Sequence, residues 1–229
     1  MRYLILSIFS LLFVNICFAQ HENWVIKTLP EPGNIGKSYK DFIPKGYEVL
    51  ATAKGDLNRD GTEDMVLVLR ENTEKHIDYI DDTNFNSQYR PLIVLFKTKE
   101  GWKLGAKTQN VVMCKDCGGF PGDPFKNVSI KNNVLSVTQR GGNAKKWANI
   151  RKYQYVGHDF YLVGKTDIDI SETEYCENKL IPPGTYTDVN FITHHKQVKK
   201  VLKNCKEVVL CSEKLHSAPL EKMNEYLDI

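Results

Sequence analysis

Along most of the chain, apolar and polar positions alternate with a period of two, the period of strands lying half-buried in a sheet. Glu48-Val49-Leu50-Ala51-Thr52-Ala53 predicts a first strand, and Asp64 to Arg70 a second. The centre of that second strand, Met65-Val66-Leu67-Val68-Leu69, is continuously apolar and partly β-branched, so it reads as buried. Pro91 to Lys97 predicts a third strand and Trp102 to Val112 a fourth, joined by a turn at Lys99-Glu100-Gly101. These make a propeller-blade-like, four-stranded antiparallel sheet. Val128-Ser129-Ile130 and Val134-Leu135-Ser136-Val137-Thr138 flank a hairpin turn at Lys131-Asn132-Asn133. Trp147 to Tyr155 alternates aromatic and charged residues, and Phe160-Tyr161-Leu162-Val163 follows the turn Gly157-His158-Asp159, completing a second four-stranded unit. Tyr186 to Thr193 and Gln197 to Leu202 alternate around His194-His195-Lys196, and Leu220 to Leu227 suits a short helix or an edge strand. The expected fold class is all-β, mainly antiparallel, with little helix.

The same pattern divides the chain. Met1-Arg2 followed by an apolar run from Tyr3 to Phe18, closing on Cys17-Phe18-Ala19, reads as a signal peptide over residues 1–19, cleaved before Gln20. The run is short for a full membrane span, and Ile16 stands where a lipoprotein would need a small residue before Cys17. The expectation is export to the periplasm or beyond. Residues 20–40, with Pro30, Pro32, Gly33 and Gly36, read as an irregular lead-in. Residues 41–170 form the expected β domain, and 171–229 a C-terminal β-hairpin extension beyond the break at Pro182-Pro183-Gly184. Residues 71–90, rich in Asp and Asn, are a long polar loop of the kind that often carries function.

Composition narrows the partners. With 41% hydrophobic and 26% charged residues the balance is that of an ordinary globular chain. A formal charge of +3 is too small to argue for nucleic acid. Lys196, Lys199, Lys200, Lys203 and Lys206 read as a solvated strand face. Of the six cysteines, Cys17 lies in the leader. The odd number left in an oxidising compartment implies one thiol that is free or paired to another chain. The expected bridges are Cys114 with Cys117, and one among Cys176, Cys205 and Cys211.

One segment carries specific chemistry. Gly55-Asp56-Leu57-Asn58-Arg59-Asp60-Gly61-Thr62-Glu63-Asp64 sets oxygen side chains at relative positions 1, 3, 5 and 9 and a glycine at 6, the start of a calcium-loop pattern. Calcium takes 6–8 oxygen ligands, and the glycine allows the sharp turn that folds them around one point. Asp56, Asn58, Asp60 and Asp64 are the expected side-chain ligands of Ca2+, with Thr62 offering its backbone carbonyl. The plain alternative is a polar hairpin turn built on Asp-Gly. At position 12, Leu67 stands where an EF-hand has a bidentate glutamate, and strands flank the loop on both sides. In these respects residues 46–70 resemble the calcium loops of FG-GAP and VCBS repeats, found in the integrin α-subunit propeller and many bacterial surface proteins. The resemblance implies an FG-GAP-like β domain with a calcium site. Segments resembling Phe42-Ile43-Pro44-Lys45-Gly46, GDLNRDG, CKDCGG, GDPF and RGGNAKKW also recur in that order in a group of exported bacterial proteins, a resemblance that carries no activity.

Other motifs are less specific. Cys114-Lys115-Asp116-Cys117 enters Gly118-Gly119 and not a helix, so it lacks the helix N-terminus that lowers a thiol pKa. A structural disulfide, a zinc half-site and a redox pair remain open for it. No phosphate loop, nucleophile elbow or paired histidine motif is present. Trp24, Trp102 and Trp147 suit either a sugar-binding surface or a sheet core. The expected function is therefore an exported calcium-binding β-sheet module, non-catalytic, binding a protein or glycan partner. The alternatives are an envelope enzyme (a hydrolase, or a thiol–disulfide protein using Cys114 and Cys117) and a periplasmic inhibitor or immunity-like protein.

Overall fold

The structure, a computed structural model, describes residues 29–74, 89–171 and 182–224. The expected leader at 1–19, Cys176 and most of the polar loop 71–90 lie outside them. Twelve strands are described: β1 (Ile35–Gly36), β2 (Tyr47–Gly55), β3 (Asp64–Glu71), β4 (Arg90–Thr98), β5 (Gly101–Val112), β6 (Phe125–Lys131), β7 (Val134–Gly142), β8 (Lys146–Val156), β9 (Asp159–Ile170), β10 (Gly184–Asn190), β11 (His195–Val201) and β12 (Glu207–Lys214). The sole helical element among the described residues is a 3-10 turn at Tyr39–Phe42, capped by Ser38 and Asp41. No helix among them is long and apolar enough to cross a membrane.

The strands form two antiparallel sheets, one of five strands in the order β1-β5-β4-β3-β2 and one of seven in the order β12-β11-β10-β9-β8-β7-β6. The all-β, antiparallel expectation holds, and the four-stranded, propeller-blade-like sheets do not. Two elements explain the difference. Within the lead-in, Ile35–Gly36 pairs with β5 and adds a fifth strand to the first sheet. In the second sheet, β9 runs on past Val163 to Ile170 and offers its free edge to β10, which pairs with it from Gly184 to Asn190. Residues beyond 171 thereby continue the sheet through β10, β11 and β12.

Packing follows from the apolar runs. Val66, Leu67, Val68 and Leu69 are all fully buried, so alternate side chains of β3 enter different cores. Val66, Val68, Leu92 and Val94 face the seven-stranded sheet, meeting Val128, Leu135, Val137, Tyr153 and Leu162. Leu67, Leu69, Ile93, Leu95 and Leu104 point the other way, under Leu29, Phe42, Tyr39 and Ile43 of the lead-in. Each such side chain contributes about 1.5–3 kcal/mol by leaving water. Covering the outer face also ties the lead-in to β5, since the Gly33 N–H donates to the Leu104 carbonyl at 2.7 Å and the Leu104 N–H to the Asn34 carbonyl at 2.9 Å. Asn132 and Asn133, with φ of 52° and 61°, make the tight hairpin between β6 and β7, where two left-handed residues match the twist of the strands. His194, with φ of 51°, lies in the β10–β11 turn, as expected.

Candidate functional site

The oxygen-rich segment forms the connection between β2 and β3 and leans on the second sheet. Leu57 is its apolar anchor, 1% exposed in the core between the sheets. Asn133 Nδ2 of the β6–β7 turn donates to the Asp56 carbonyl at 2.7 Å. Within the loop, short side chains fold the backbone back on itself. Asp56 Oδ1 accepts from the Arg59 N–H at 2.6 Å and Oδ2 from the Gly61 N–H at 3.0 Å. Asn58 Oδ1 accepts from the Asp60 N–H at 3.0 Å, and Asp60 Oδ1 from the Thr62 N–H at 2.7 Å. Arg59 and Gly61 take positive φ, 65° and 81°, which lets the chain curl around these groups.

Asp64 differs from the other acids of the loop. It opens β3 and is fully buried. Oδ2 accepts from the Leu57 N–H at 2.8 Å and Oδ1 from the Lys97 N–H at 3.0 Å. Among the described residues no Lys or Arg side chain forms an ion pair with it. Burial pushes its carboxyl above the ordinary Asp value, against the pull of those backbone donors. The Asp60 carboxyl is held below that value by the Asn58 amide first and by the Thr62 N–H.

The donor set suits a hard cation. It is all oxygen, and a carboxylate with about four acceptor sites keeps lone pairs after one or two N–H bonds. The arrangement is looser than a finished metal cage. Among the described residues no three His, Cys, Asp or Glu side chains stand as a metal-holding group. Asn58 Nδ2 donates to Asp60 Oδ2 at 2.9 Å, so a cation taking that oxygen would have to displace the Asn58 amide.

The glycine-rich motifs meet at the other end of β7. Cys114 and Cys117 are disulfide-bonded with their Cα atoms 5.1 Å apart, closing a turn that leads into Gly118-Gly119. Cys205 is also disulfide-bonded, whereas Cys211 is a free, exposed thiol. The Gly142 N–H donates to the Gly118 carbonyl at 2.8 Å. A Cβ on Gly141 would stand 2.5 Å from the Gly118 oxygen and 2.7 Å from Trp147 Cζ2. The glycine therefore lets loop and indole close on the strand. Phe120, at the exposed tip of this loop, is 93% exposed. Below it, Arg90 binds Glu74 and Asp123 at 2.6–2.8 Å.

Beside the disulfide turn lies a groove of about 400 Å3, walled by Met113 and Cys117 and floored by β8 and β9. Trp147 is opposite Asp169, Asn149 opposite Asp167, and Arg151 opposite Lys165, so these side chains share one face of the sheet. That face is the one whose Leu135, Val137, Tyr153 and Leu162 pack against the five-stranded sheet. Gln139 marks the change from apolar to polar, its amide accepting from the Met113 N–H and donating to the Val111 carbonyl. Sequence reading found Trp147 and the alternation of its strand. It missed the groove, whose only trace is the period-two series Trp147, Asn149, Arg151, Tyr153. Compared with family models, with curated proteins and with solved structures, the chain matches none.

Proposed function

We propose that the protein is an exported calcium-binding β-sheet module, non-catalytic, whose FG-GAP-like loop at Asp56, Asn58, Asp60, Thr62 and Asp64 takes Ca2+ in a structural role. The observation that carries this reading is Asp64, a fully buried carboxylate in an oxygen-rich loop with no cationic side chain paired to it among the described residues. An uncompensated buried charge is costly, and a bound cation removes that cost. The loop also lies where stiffening matters, between the Leu57 anchor in the core and the Asn133 contact to the second sheet. Calcium there would fasten one sheet to the other and hold the surfaces that meet partners. The Cys114–Cys117 disulfide fits the same picture as a staple, because the chain after it turns through glycines and reaches β6 with no helix between.

Calcium titration by calorimetry, paired with thermal melting, tests this on the wild type and an Asp56→Ala, Asp60→Ala double variant. The expected result is saturable binding near the 10⁻⁴–10⁻³ M range of extracellular calcium modules, with a rise in Tm that the variant loses. Absence of binding heat, with identical melting with and without calcium, reduces the segment to a hairpin turn.

A further inference from the structure

We infer that the groove between the Cys114–Cys117 turn and the β8–β9 floor is a binding site for a neutral glycan, stacked on Trp147 and hydrogen-bonded by Asp169, Asp167 and Asn149. This names a partner class for the proposed binding module and rests on its being a binding protein, not on its calcium loop. The volume of about 400 Å3 falls in the range of small-molecule pockets. The floor has the two parts a pyranose requires. An indole supplies a flat apolar face for the C–H side of the ring, and carboxylates and an amide supply acceptors and donors for the hydroxyls. Asp167 and Asp169 are two residues apart on one strand, which sets their Cβ atoms about 6.6 Å apart along it, a spacing suited to hydroxyls on different ring carbons.

Charge decides between a sugar and an organic cation. Trp147 with two aspartates would suit an ammonium ligand if the carboxylates were uncompensated. They are balanced. The buried Arg151 side chain holds Asp167 Oδ1 at 2.7 Å, and Lys165 Nζ lies 3.8 Å from Asp167 Oδ2. With Lys165, which stands opposite Arg151 beside the groove, this face of β8 and β9 carries two cations and two carboxylates, and a net charge of zero favours a polyhydroxylated ligand without charge. The buried guanidinium also fixes Asp167, so the site is largely preformed. Its polar row begins where the apolar contact with the five-stranded sheet ends, at Gln139, Asn149 and Arg151, which are 0%, 8% and 4% exposed.

The test is an NMR titration of the purified protein with maltose, cellobiose and N,N′-diacetylchitobiose, reading the Trp147 indole N–H, assigned by Trp147→Phe. At least one sugar should shift this resonance and saturate by about 10 mM, as expected for a dissociation constant of about 1 mM or tighter. Asp169→Asn, an exposed change that should leave the fold intact, should weaken the response at least tenfold, and Trp102→Ala should leave it unchanged. No shift from any of the three sugars, with the spectrum of a folded protein, overturns the inference. So does an equal shift from choline, which would make the groove an ammonium site. Calcium calorimetry on the same sample separates the two proposals. A sugar response without calcium binding removes only the metal reading, and calcium binding without a sugar response removes only this one.

Discussion

Arg90 shows how much a single side chain fastens here. Its guanidinium is 2% exposed and makes paired bonds to both Glu74 and Asp123, joining the end of β3 to the turn before β6. Removing one member of a buried ion cluster strands the others. Arg90→Met should therefore lose about 3 kcal/mol, measured by urea unfolding. The pH profile should change with it. Burial works to raise the Asp123 carboxyl, but its bonds to Arg90 and the charge of Arg90 together hold it below the ordinary value of 3.8. A carboxyl depressed in the folded state contributes stability above its unfolded pKa and loses it as the pH falls through the folded one. The wild type should shed this contribution below about pH 4, and Arg90→Met should lack that acid-side loss. At the alkaline end Tyr186 acts with the opposite sense. Burial, then the nearby Glu207 and Asp188, push its hydroxyl up to about 12 from 10.0, while it donates to the Pro182 carbonyl at 2.7 Å. Its contribution is complete below pH 10 and lost as the pH rises towards 12, so the difference between wild type and Tyr186→Phe should shrink over that interval. At this scale the oxygen-rich loop was legible, since its residues sit at fixed offsets within ten positions. Arg90 was not, because nothing in the chain announces that Glu74 and Asp123 converge on it.

Among the elements, β3 and β4 were legible because burial on both faces leaves an unbroken apolar run. β12 was missed for a physical reason. All of its residues are exposed, so no buried face imposes alternation, and a bulge at Leu210 shifts its register against β11. Edge strands are often protected in this way. Val208, Val209 and Leu210 are 37%, 56% and 57% exposed, and Val209→Lys should lower aggregation on heating without changing urea stability. The free thiol on the same strand should mark it, with maleimide labelling of the folded protein localised by mass mapping to Cys211. Gly141 and Gly142 lie at the end of β7, which runs through Gly142. Their sparseness serves a close approach. Gly141→Ala should cost about 1–3 kcal/mol and, by displacing Trp147, should also perturb the indole resonance used to follow the groove.

For the whole molecule, strand type was legible and strand count per sheet was not. Alternation says that a residue faces inward, but not which of two sheets it belongs to. The decision falls in the segment 113–124, where the chain leaves β5 of one sheet and enters β6 of the other. The groove shares this limit. Trp147, Asp167 and Met113 belong to separate strands and a loop, and only the register of β8 with β9 and the return of the disulfide turn bring them together. The covered outer face of the five-stranded sheet has a consequence in time. Leu29, Tyr39 and Phe42 are made early, but the sheet they cover is complete only when β5 has been made. Closing this face is a long-range event with a high loop-closure cost. Until it happens, Leu67, Leu69, Ile93, Leu95 and Leu104 form an open apolar surface. Docking of residues 29–42 should therefore be the late step of folding, and a chain beginning after Phe42 should collapse into a state that binds hydrophobic dyes and aggregates.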